Sequence, residues 1–458
     1  MKETDERRFK RLVEWAQHHG ARLHPSLEVY HDDVTKFSLR VKHSEAPLQP
    51  GFDAIHCPFS VTLSYLNALV DSPFSSPYST REGRTAAFPT RFMTSLPPHV
   101  IGRFYLIQQY LRGDDSFWHA YIATLPRPEH INSWALPAFW SEDDAYFLEG
   151  TNAGVAIEEI QANVKREFKQ ARKVLKEEGF PNWQDYTKVL YSWAFCIFTS
   201  RSFRPSLILE DSTKQEIRKI LPLGCAIDDF SVLQPLFDIP NHSITARYSW
   251  NLNTHPAGCT LICEDAYQPG AQVFNNYGMK TNSELLLGYG FTLPETQDLH
   301  NDYVHLRKKQ ETEETGKPKD FLISLRPFVD SSSLVARSRP QLPNQFQLQE
   351  LSSFSHFEPA LVEDLARSLS AKDDQEGSSK RASADGNRDE TMQLTRVARV
   401  KDALSMKLEY DLQRLLEADP IQDETSEVQA TTQNQQLAHG YRRQCEKVLA
   451  NALRALRS

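Results

Sequence analysis

The 458-residue sequence has little cysteine, no long apolar run and no excess of positive charge. Its cysteines are scattered without the paired spacing of a zinc site, which predicts reduced thiols at 57, 196, 225, 259, 263 and 445. No apolar run approaches the roughly 18 residues that span a bilayer, and the N-terminus is charged where a secretory signal would be apolar. The net charge of −8 gives no general attraction to nucleic acid. These absences predict a cytoplasmic or nuclear protein that binds neither membranes nor nucleic acid.

What is present is a globular composition, with 40% apolar residues, enough to bury substantial cores. Local patterns divide the chain into four regions, and the first is residues 1–95. It begins with a helical pattern at Glu6–His19 and continues with strand-like segments at Leu27–Leu39 and Phe52–Leu63. Because proline cannot donate to a sheet, Pro58 is expected at an edge or a strand end.

The second region, residues 96–227, is predominantly helical. Its helical patterns are Ile101–Arg112, Ile157–Glu178 and Asp185–Ser200, and the last should bury Val189, Trp193, Ala194 and Ile197. The third region, residues 228–300, alternates short strands with turns, and Ala271–Tyr277 is predicted to be a strand.

The fourth region, residues 301–458, is again helical. Between Leu394 and Leu416, one helix face carries Val397, Val400, Leu404, Leu408, Leu412 and Leu415. Residues 370–390 have almost no large apolar side chains, so we predict disorder there. Residues 418–436 are expected to be a mobile connection before a last helix at Leu437–Leu456. The basic residues of that helix are expected to be solvated: Arg442, Arg443, Lys447, Arg454 and Arg457.

Four blocks in the first 300 residues carry the functional signal. The first three are Lys36-Phe-Ser-Leu-Arg40, Ser116-Phe-Trp-His-Ala-Tyr121 and Trp193-Ala-Phe with Ser-Arg-Ser-Phe203. The fourth joins Asp238-Ile-Pro-Asn-His242 to Asn275-Asn-Tyr-Gly-Met-Lys-Thr-Asn-Ser-Glu-Leu-Leu-Leu-Gly-Tyr-Gly-Phe291. An isolated Asn-His or Tyr-Gly pair is usually a turn former, so the order and spacing of the blocks carry the inference.

Together the blocks resemble those of SET-domain protein methyltransferases, specifically the group that includes the Rubisco large-subunit lysine methyltransferase. The resemblance implies an α+β fold: a SET-domain β-fold with a knot-like C-terminal segment, an α-helical insertion and an α-helical C-terminal domain that binds substrate. It implies S-adenosyl-L-methionine as the cofactor, a protein substrate bearing the target lysine as the partner, and no metal. We expect a monomer.

The resemblance also implies roles for single residues. Tyr277 would be the catalytic tyrosine, and Phe203 would line the substrate site. Cofactor contacts are implied for Arg40, Arg201, Asp238, Asn241, His242, Tyr289, Gly290 and Phe291. The first block departs from the family pattern, because Lys36 and Ser38 stand where relatives have glycines that let the cofactor approach the backbone.

Methyl transfer from a sulfonium requires alignment and a deprotonated nucleophile rather than paired acids. A free lysine has a pKa of about 10.4, so its neutral form at pH 7 is about one in a thousand. A narrow aromatic channel and the neighbouring sulfonium would both lower that pKa. The hydroxyl of Tyr277 would then orient the amine and the methyl group through hydrogen bonds and weak CH···O contacts.

Three alternatives to nonhistone lysine methylation remain open. A histidine methyltransferase of the group has asparagine where this chain has Phe203, which cannot hydrogen-bond an imidazole and so favours lysine. Histone methylation is disfavoured because no cysteine-rich, zinc-binding tail follows Phe291. The absent glycines at 36 and 38 leave a noncatalytic SET-fold adaptor as a rival.

Overall fold

The structure is a computed structural model that describes residues 4–73, 85–254, 256–308, 319–340, 351–376, 386–421 and 428–458. Its contacts divide the chain into two compact units. The first unit comprises residues up to Ala135 with Gln161–Gly278, and the second comprises Leu136–Ile160 with Met279–Ser458. The four regions predicted from the sequence follow local character instead, and their boundaries stay a prediction. No described helix is both long enough and apolar enough to cross a membrane.

Helices make up most of the regular structure. In the described residues they are α1 (Asp5–His18), α2 (Tyr65–Ala68), α3 (Thr90–Ser95), α4 (Pro98–Arg112), α5 (His119–Ile122), α6 (Glu142–Ala145), α7 (Asn152–Glu177), α8 (Lys188–Arg201), α9 (Pro205–Ile208), α10 (Asp211–Arg218), α11 (Asn282–Tyr289), α12 (Leu334–Arg337), α13 (Pro359–Glu376), α14 (Gly386–Glu417) and α15 (Gln433–Arg457).

The strands are short and form small antiparallel sheets. They are β1 (Arg22–Leu23), β2 (Leu27–Asp32), β3 (Lys36–Val41), β4 (Phe52–Pro58), β5 (Leu63–Ser64), β6 (Ser202–Phe203), β7 (Val232–Leu233), β8 (Tyr248–Asn251), β9 (Gly258–Cys263), β10 (Gln272–Val273), β11 (Tyr303–Lys308) and β12 (Lys319–Ser324). The first unit contains three sheets, with the strand orders β1-β4-β9-β8, β10-β3-β2 and β5-β7-β6. In the second unit, β11 pairs with β12.

A tight turn joins β2 to β3 in the first unit. The carboxylate Oδ1 of Asp32 accepts hydrogen bonds from the backbone N–H groups of Val34 and Thr35, at 3.0 and 2.7 Å. The Thr35 hydroxyl donates to the same oxygen at 2.8 Å. Because Asp readily satisfies backbone donors two and three residues further on, its position after β2 explains why the chain reverses here.

Two distant segments of the first unit pair in parallel near its C-terminal end. The N–H of Asn275 donates to the carbonyl of Asn241 at 2.8 Å, and the N–H of Ser243 donates to the carbonyl of Asn275 at 2.9 Å. His242 and Asn275 are the bridge partners. We call residues 238–243 together with 275–277 the knot segment. This pairing sets the positions of the residues of the fourth sequence block.

The second unit has its own apolar core, built mainly by α13, α14 and α15 with the strand pair β11-β12. Of the face predicted on α14, Val400, Leu404, Leu408 and Leu415 are buried. The remaining two residues of that face, Val397 and Leu412, are partly buried and pack against the same core. The predicted amphipathic face of α14 is therefore confirmed.

Several sequence-based expectations need correction. Val189 is 51% exposed, because it lies in the first turn of α8 while the core-facing residues come later in the helix. The predicted strand at Ala271–Tyr277 is limited to β10, because the chain then turns to pair with residue 241. Arg442 is only 1% exposed, so it is not a solvated residue.

Other expectations have a different outcome. Trp193, Ala194 and Ile197 are buried as predicted, and Pro58 ends β4. Helix α13 continues to Glu376 and α14 begins at Gly386, so residues 377–385 of the expected disordered stretch lie outside the described residues. Residues 422–427 of the expected mobile connection also lie outside them.

Candidate active site

A buried ion pair lies at the C-terminal end of α8. The last residue of that helix, Arg201, donates from Nη1 to the carboxylate Oδ2 and to the backbone carbonyl of Asp238, both at 3.2 Å. The hydroxyl of Tyr121 donates to the same carboxylate oxygen at 3.1 Å. The side chain of Asp238 is 3% exposed and that of Arg201 is 31% exposed. The carboxylate is thus enclosed, whereas the Arg201 side chain is partly exposed.

The environment shifts the pKa of each group in this cluster. Burial raises the pKa of Asp238, and the charge of Arg201 and the hydroxyl of Tyr121 offset only part of that rise. Burial is the largest influence on the pKa of Arg201 and lowers it, but the charges of Asp238, Tyr121 and Tyr277 together outweigh burial, so the net pKa is raised. Burial also raises the pKa of Tyr121 well above its usual range. Arg201 and Tyr121 therefore keep their protons.

Tyr277 is held by the knot segment. Its hydroxyl donates to the carbonyl of Pro240 at 2.9 Å, and its N–H donates to Nδ1 of His242 at 3.1 Å. The two rings stack, with centroids 5.1 Å apart and planes 20° from parallel. Since Nδ1 accepts, neutral His242 carries its proton on Nε2. Tyr277 also lies close enough to Arg201 to influence the guanidinium pKa.

The side chain of Asn241 reaches from the knot segment to the turn between β2 and β3. Its Nδ2 donates to the hydroxyl of Thr35 at 2.7 Å and to Oε1 of Gln272 at 3.1 Å. Because Thr35 directly precedes Lys36, the first and fourth sequence blocks meet here. Arg201, Asp238, Asn241, His242 and Tyr277 therefore belong to one connected cluster of the first unit.

Arg40 occupies β3 next to this cluster, and its guanidinium already has protein partners. Its Nε donates to Oε1 of Glu28 on the neighbouring strand at 2.8 Å. The guanidinium carbon lies 4.7 Å from the centroid of the Tyr30 ring. A cofactor contact by Arg40 stays a prediction.

Phe203 lies in an aromatic cluster formed by strands β6 and β8 and by the residue before Asp238. Its ring centroid is 6.1 Å from that of Phe237 and 5.8 Å from that of Trp250. Trp250 stacks on Phe237 at 5.7 Å and contacts Tyr248 edge-on at 5.4 Å. The hydroxyl of Tyr248 donates to the carbonyl of Asn276 at 3.0 Å, directly before Tyr277. We call these four rings the aromatic quartet.

The first block keeps a glycine-like backbone without glycine. Lys36 has φ of +73°, in the left-handed region that side chains disfavour. Ser38 is fully buried, and its hydroxyl has no hydrogen-bond partner in the part of the chain that the structure describes. The first block thus has, at Lys36, a backbone conformation that glycine favours.

Tyr289, Gly290 and Phe291 belong to the second unit, where they end α11. Thr281 and Glu284 form a reciprocal N-terminal cap of this helix, and Gly290 terminates it with φ of +78°. The ring centroids of Tyr289 and Phe291 are 6.3 Å apart. Their roles in cofactor binding stay predictions.

Besides Phe237 and Tyr248 of the aromatic quartet, four residues of the site were not identified from the sequence. Tyr121 and Trp250 belong to blocks or strands in which an aromatic residue is usually a packing residue, and Thr35 and Gln272 are polar residues of a turn and a short strand. Of these four residues, only Tyr121 belongs to one of the four sequence blocks, because it ends the second block. In the described part of the chain, no group of three or more His, Cys, Asp or Glu residues is placed to hold a metal ion.

Comparison with known proteins finds relatives that are protein methyltransferases. The chain is 29% identical to the ribosomal lysine N-methyltransferase set10 of Schizosaccharomyces pombe over 290 residues, 63% of this chain and 46% of that protein. It is 24% identical to the protein-lysine N-methyltransferase EFM1 of Saccharomyces cerevisiae over 351 residues, 68% of this chain and 53% of that protein. An actin-histidine N-methyltransferase of Xenopus tropicalis is 25% identical over 184 residues, 39% of this chain and 27% of that protein. The chain spans about half the length of set10 and EFM1. No protein-family model matches it.

Solved structures share the fold over nearly the whole chain. The SET domain of LSMT bound to methyl-lysine and AdoHcy superposes with a TM-score of 0.61 and 17% identity, covering 98% of this chain and 91% of that one. Rubisco LSMT bound to AdoMet gives a TM-score of 0.58 and 16% identity, with 98% and 91% covered. The predicted α+β SET-domain fold with a helical C-terminal region is therefore confirmed. The chain therefore has the SET-domain fold of Rubisco LSMT, and its sequence is similar to the lysine methyltransferases set10 and EFM1.

Proposed function

We propose that the chain is an S-adenosyl-L-methionine-dependent protein-lysine N-methyltransferase. The observation that carries the proposal is the aromatic quartet of Phe203, Phe237, Tyr248 and Trp250, tied through Tyr248 to the backbone beside Tyr277. An aromatic surface accommodates the aliphatic stem of lysine. It also disfavours the charged ammonium when water is excluded, and so lowers the lysine pKa toward the neutral nucleophile.

Tyr277 would orient the amine. Deprotonating a free lysine at pH 7 costs about 4 to 5 kcal/mol, so desolvation by the quartet is the first contribution. The second is alignment, because an in-line displacement depends on the angle between the amine lone pair and the transferred methyl group. The Tyr277 hydroxyl is fixed by Pro240 and its ring by His242, which gives the oxygen a defined position.

The first unit fits a sulfonium nucleoside cofactor. When bound, S-adenosyl-L-methionine supplies an electrophilic methyl group. Lys36 has a left-handed backbone that glycine favours, and the buried Ser38 hydroxyl is left for a ligand to satisfy. Arg201, Asp238, Asn241 and His242 would form one wall of the pocket, with Arg40 nearby.

We propose a nonhistone protein as the substrate, such as a ribosomal protein or a translation factor. A ribosomal protein comes first because set10 is named as a ribosomal lysine methyltransferase. The enzyme would act as a monomer in the cytoplasm or the nucleus, without binding nucleic acid or membranes. The helical second unit would bind the substrate protein.

Histidine methylation is the second candidate function, favoured by similarity to an actin-histidine methyltransferase. Phe203 opposes it, because a ring that packs on Phe237 and Trp250 offers an imidazole no hydrogen bond. The third candidate is a noncatalytic adaptor, and Lys36 and Ser38 are the residues that favour it. Cofactor binding separates the adaptor from the enzymes, and the modified amino acid separates the two enzymes.

The first experiment is titration calorimetry of the full chain with S-adenosyl-L-methionine. We expect micromolar binding by the wild type and weaker binding by Asn241→Ala. Absence of binding at millimolar cofactor would contradict the proposal and favour the adaptor.

The second experiment transfers labelled methyl groups to a cell extract, followed by acid hydrolysis and separation of methylated amino acids. We expect the label in methyllysine. Label in methylhistidine would establish the second candidate instead. When a labelled protein is identified, changing its target lysine to arginine should abolish the labelling.

A further inference from the structure

A closed ring of hydrogen bonds joins three segments of the first unit that are far apart in sequence. From Asn241 the first route runs to the Thr35 hydroxyl at 2.7 Å and from Thr35 to Oδ1 of Asp32 at 2.8 Å. The second route runs from Asn241 to Oε1 of Gln272 at 3.1 Å and from Nε2 of Gln272 to Oδ2 of Asp32 at 3.3 Å. Both routes end on the same carboxylate. We call these four residues the Asp32 ring.

The ring is polarised in one direction. The Asn241 amide donates twice, and Thr35 accepts once and donates once. Gln272 accepts at Oε1 and donates from Nε2 to Asp32 and to the hydroxyl of Tyr30. Asp32 only accepts, as an ionised carboxylate does. Its backbone partners at Val34 and Thr35 hold it at the turn. The orientation of the Asn241 side chain is therefore set by a charged group four residues before Lys36.

Each segment of the ring carries a different part of the site. Asp32 and Thr35 form the turn before the first block, Gln272 pairs with Arg40 across β10 and β3, and Asn241 belongs to the knot segment. Because the Asp32 ring joins the turn to the knot segment, it sets the distance between these two stretches of backbone. Glycines at the first block would also affect this distance, because glycine lets backbone approach closely.

We infer that Thr35 and Gln272 are positioning residues for S-adenosyl-L-methionine, acting through the Asn241 amide that they hold between the turn and the knot segment. The inference rests on the proposed function. Neither residue needs to touch the cofactor. Replacing either residue should lower the affinity for S-adenosyl-L-methionine. The same replacement should have no effect when the Asn241 side chain has been removed.

A double-mutant cycle tests this dependence by calorimetry with S-adenosyl-L-methionine on the full chain. The variants are Thr35→Val, which removes the hydroxyl at nearly constant volume, Asn241→Ala, and the combination of both. We expect Thr35→Val to weaken binding about five-fold, which at 1.4 kcal/mol per factor of ten corresponds to about 1 kcal/mol for one neutral hydrogen bond. In the Asn241→Ala background the same change should have no further effect. Gln272→Met should behave like Thr35→Val.

Two further measurements separate positioning from loss of structure. Thr35→Ser keeps the hydroxyl and should restore wild-type affinity. With saturating cofactor, kcat of Thr35→Val should equal that of the wild type, because only the cofactor site is loosened. The matched control is Thr94→Val on α3, whose hydroxyl donates to the carbonyl of Thr90 at 3.0 Å and which should bind the cofactor normally.

The outcomes distinguish this inference from the proposed function. A wild type that binds the cofactor, with losses that simply add in the double variant, would overturn the positioning role alone. Failure of Thr35→Ser to restore affinity would overturn it as well. A wild type that binds no cofactor would overturn both.

Discussion

At the scale of single residues, Lys36 combines a long side chain with a left-handed backbone. A left-handed backbone costs an L-residue roughly 1–2 kcal/mol, because its Cβ lies too close to the following carbonyl oxygen. Glycine avoids this clash, but it loses roughly 0.5–1 kcal/mol more conformational entropy on folding. With φ of +73° at Lys36, we expect Lys36→Gly to be more stable than Lys36→Ala by roughly 0.5–1 kcal/mol. Urea denaturation of the two variants measures the difference.

The same pair of substitutions at Lys10 is the matched control. Lys10 is exposed in the middle of α1, where glycine costs about 1 kcal/mol relative to alanine. The order of stability should therefore reverse between the two positions. An alanine variant at 36 as stable as the glycine variant would mean that the turn relaxes when the side chain is removed.

Removing the Tyr277 hydroxyl should separate catalysis from binding. The hydroxyl is fixed by the carbonyl of Pro240, while the ring remains stacked on His242. We expect Tyr277→Phe to lower kcat about 100-fold, comparable to the loss of one preorganised hydrogen-bond donor at a reaction centre. The affinity for S-adenosyl-L-methionine should stay within about two-fold, since stacking keeps the knot segment in place.

The matched control for Tyr277→Phe is Tyr146→Phe in the second unit, where the side chain is 49% exposed. It should leave both kcat and cofactor affinity unchanged. If Tyr277→Phe weakened cofactor binding as strongly as it lowered kcat, the hydroxyl would be part of the cofactor pocket instead.

At the scale of elements, one buried arginine links α15 to two other segments of the second unit. Arg442 is 1% exposed and donates to the backbone carbonyls of Phe147, Glu149 and Leu415. The end of α14 and the segment before α7 thus share one guanidinium with α15. Burial lowers the pKa of Arg442, although the nearby Asp419 acts in the opposite direction.

We expect Arg442→Met to destabilise the second unit by about 3 kcal/mol or more. The change leaves three carbonyls without their donor and deprives the buried Asp419 of a nearby cation. Thermal unfolding followed by circular dichroism measures the loss. Arg454→Met on the exposed face of α15 should change stability by less than about 0.5 kcal/mol. Equal effects of both changes would show that Arg442 contributes only through its aliphatic stem.

Elements with a strong local signal could be predicted from the sequence. Helix α14 repeats its apolar residues with helical period, which predicted its buried face. Helix α11 has the Thr281 to Glu284 cap and Gly290 as a stop, yet its region was predicted to alternate strands with turns. Strand β10 has only two residues, and its length depends on Asn241, which is distant in sequence. Gln272 was missed for the same reason, since no local pattern distinguishes a polar strand residue with three side-chain partners from a solvated one. Arg442 was misassigned because its acceptors are backbone carbonyls, which any sequence provides.

At the scale of the whole molecule, a buried histidine makes the first unit sensitive to acid. His56 is 1% exposed, and burial together with the charge of Arg22 lowers its pKa to about 4. Between pH 6.5 and 4 the unfolded chain takes up a proton that the folded chain refuses, so stability falls as the pH falls. At 1.36 kcal/mol for each pKa unit, the loss is about 3 kcal/mol.

We expect His56→Gln to remove that part of the pH dependence, because glutamine can still bond to Thr260 but does not titrate. Urea denaturation at pH 4 to 7 followed by tryptophan fluorescence is suitable, since six of the seven tryptophans belong to the first unit. An unchanged slope would mean that other groups control acid unfolding.

Asp302 of the second unit should change the pH dependence of stability in the direction opposite to His56. Burial raises its pKa to about 6, so the folded chain holds a proton between pH 6 and 4 that the unfolded chain releases. This contribution to stability grows as the pH falls. Asp302→Asn should therefore make the second unit more sensitive to acid, whereas His56→Gln makes the first unit less so.

The parallel pairing of His242 with Asn275 also governs when the protein becomes competent during its synthesis. Asn241 leaves the ribosome well before Gln272 and Asn275, and it lacks part of its hydrogen bonds until that later stretch arrives. The loop between the two stretches has to close before these contacts can form, which makes the step slow. The Tyr277 hydroxyl and the hydrogen bonds of Asn241 should thus reach their final positions together, late and in a single event, so that shorter nascent chains remain inert.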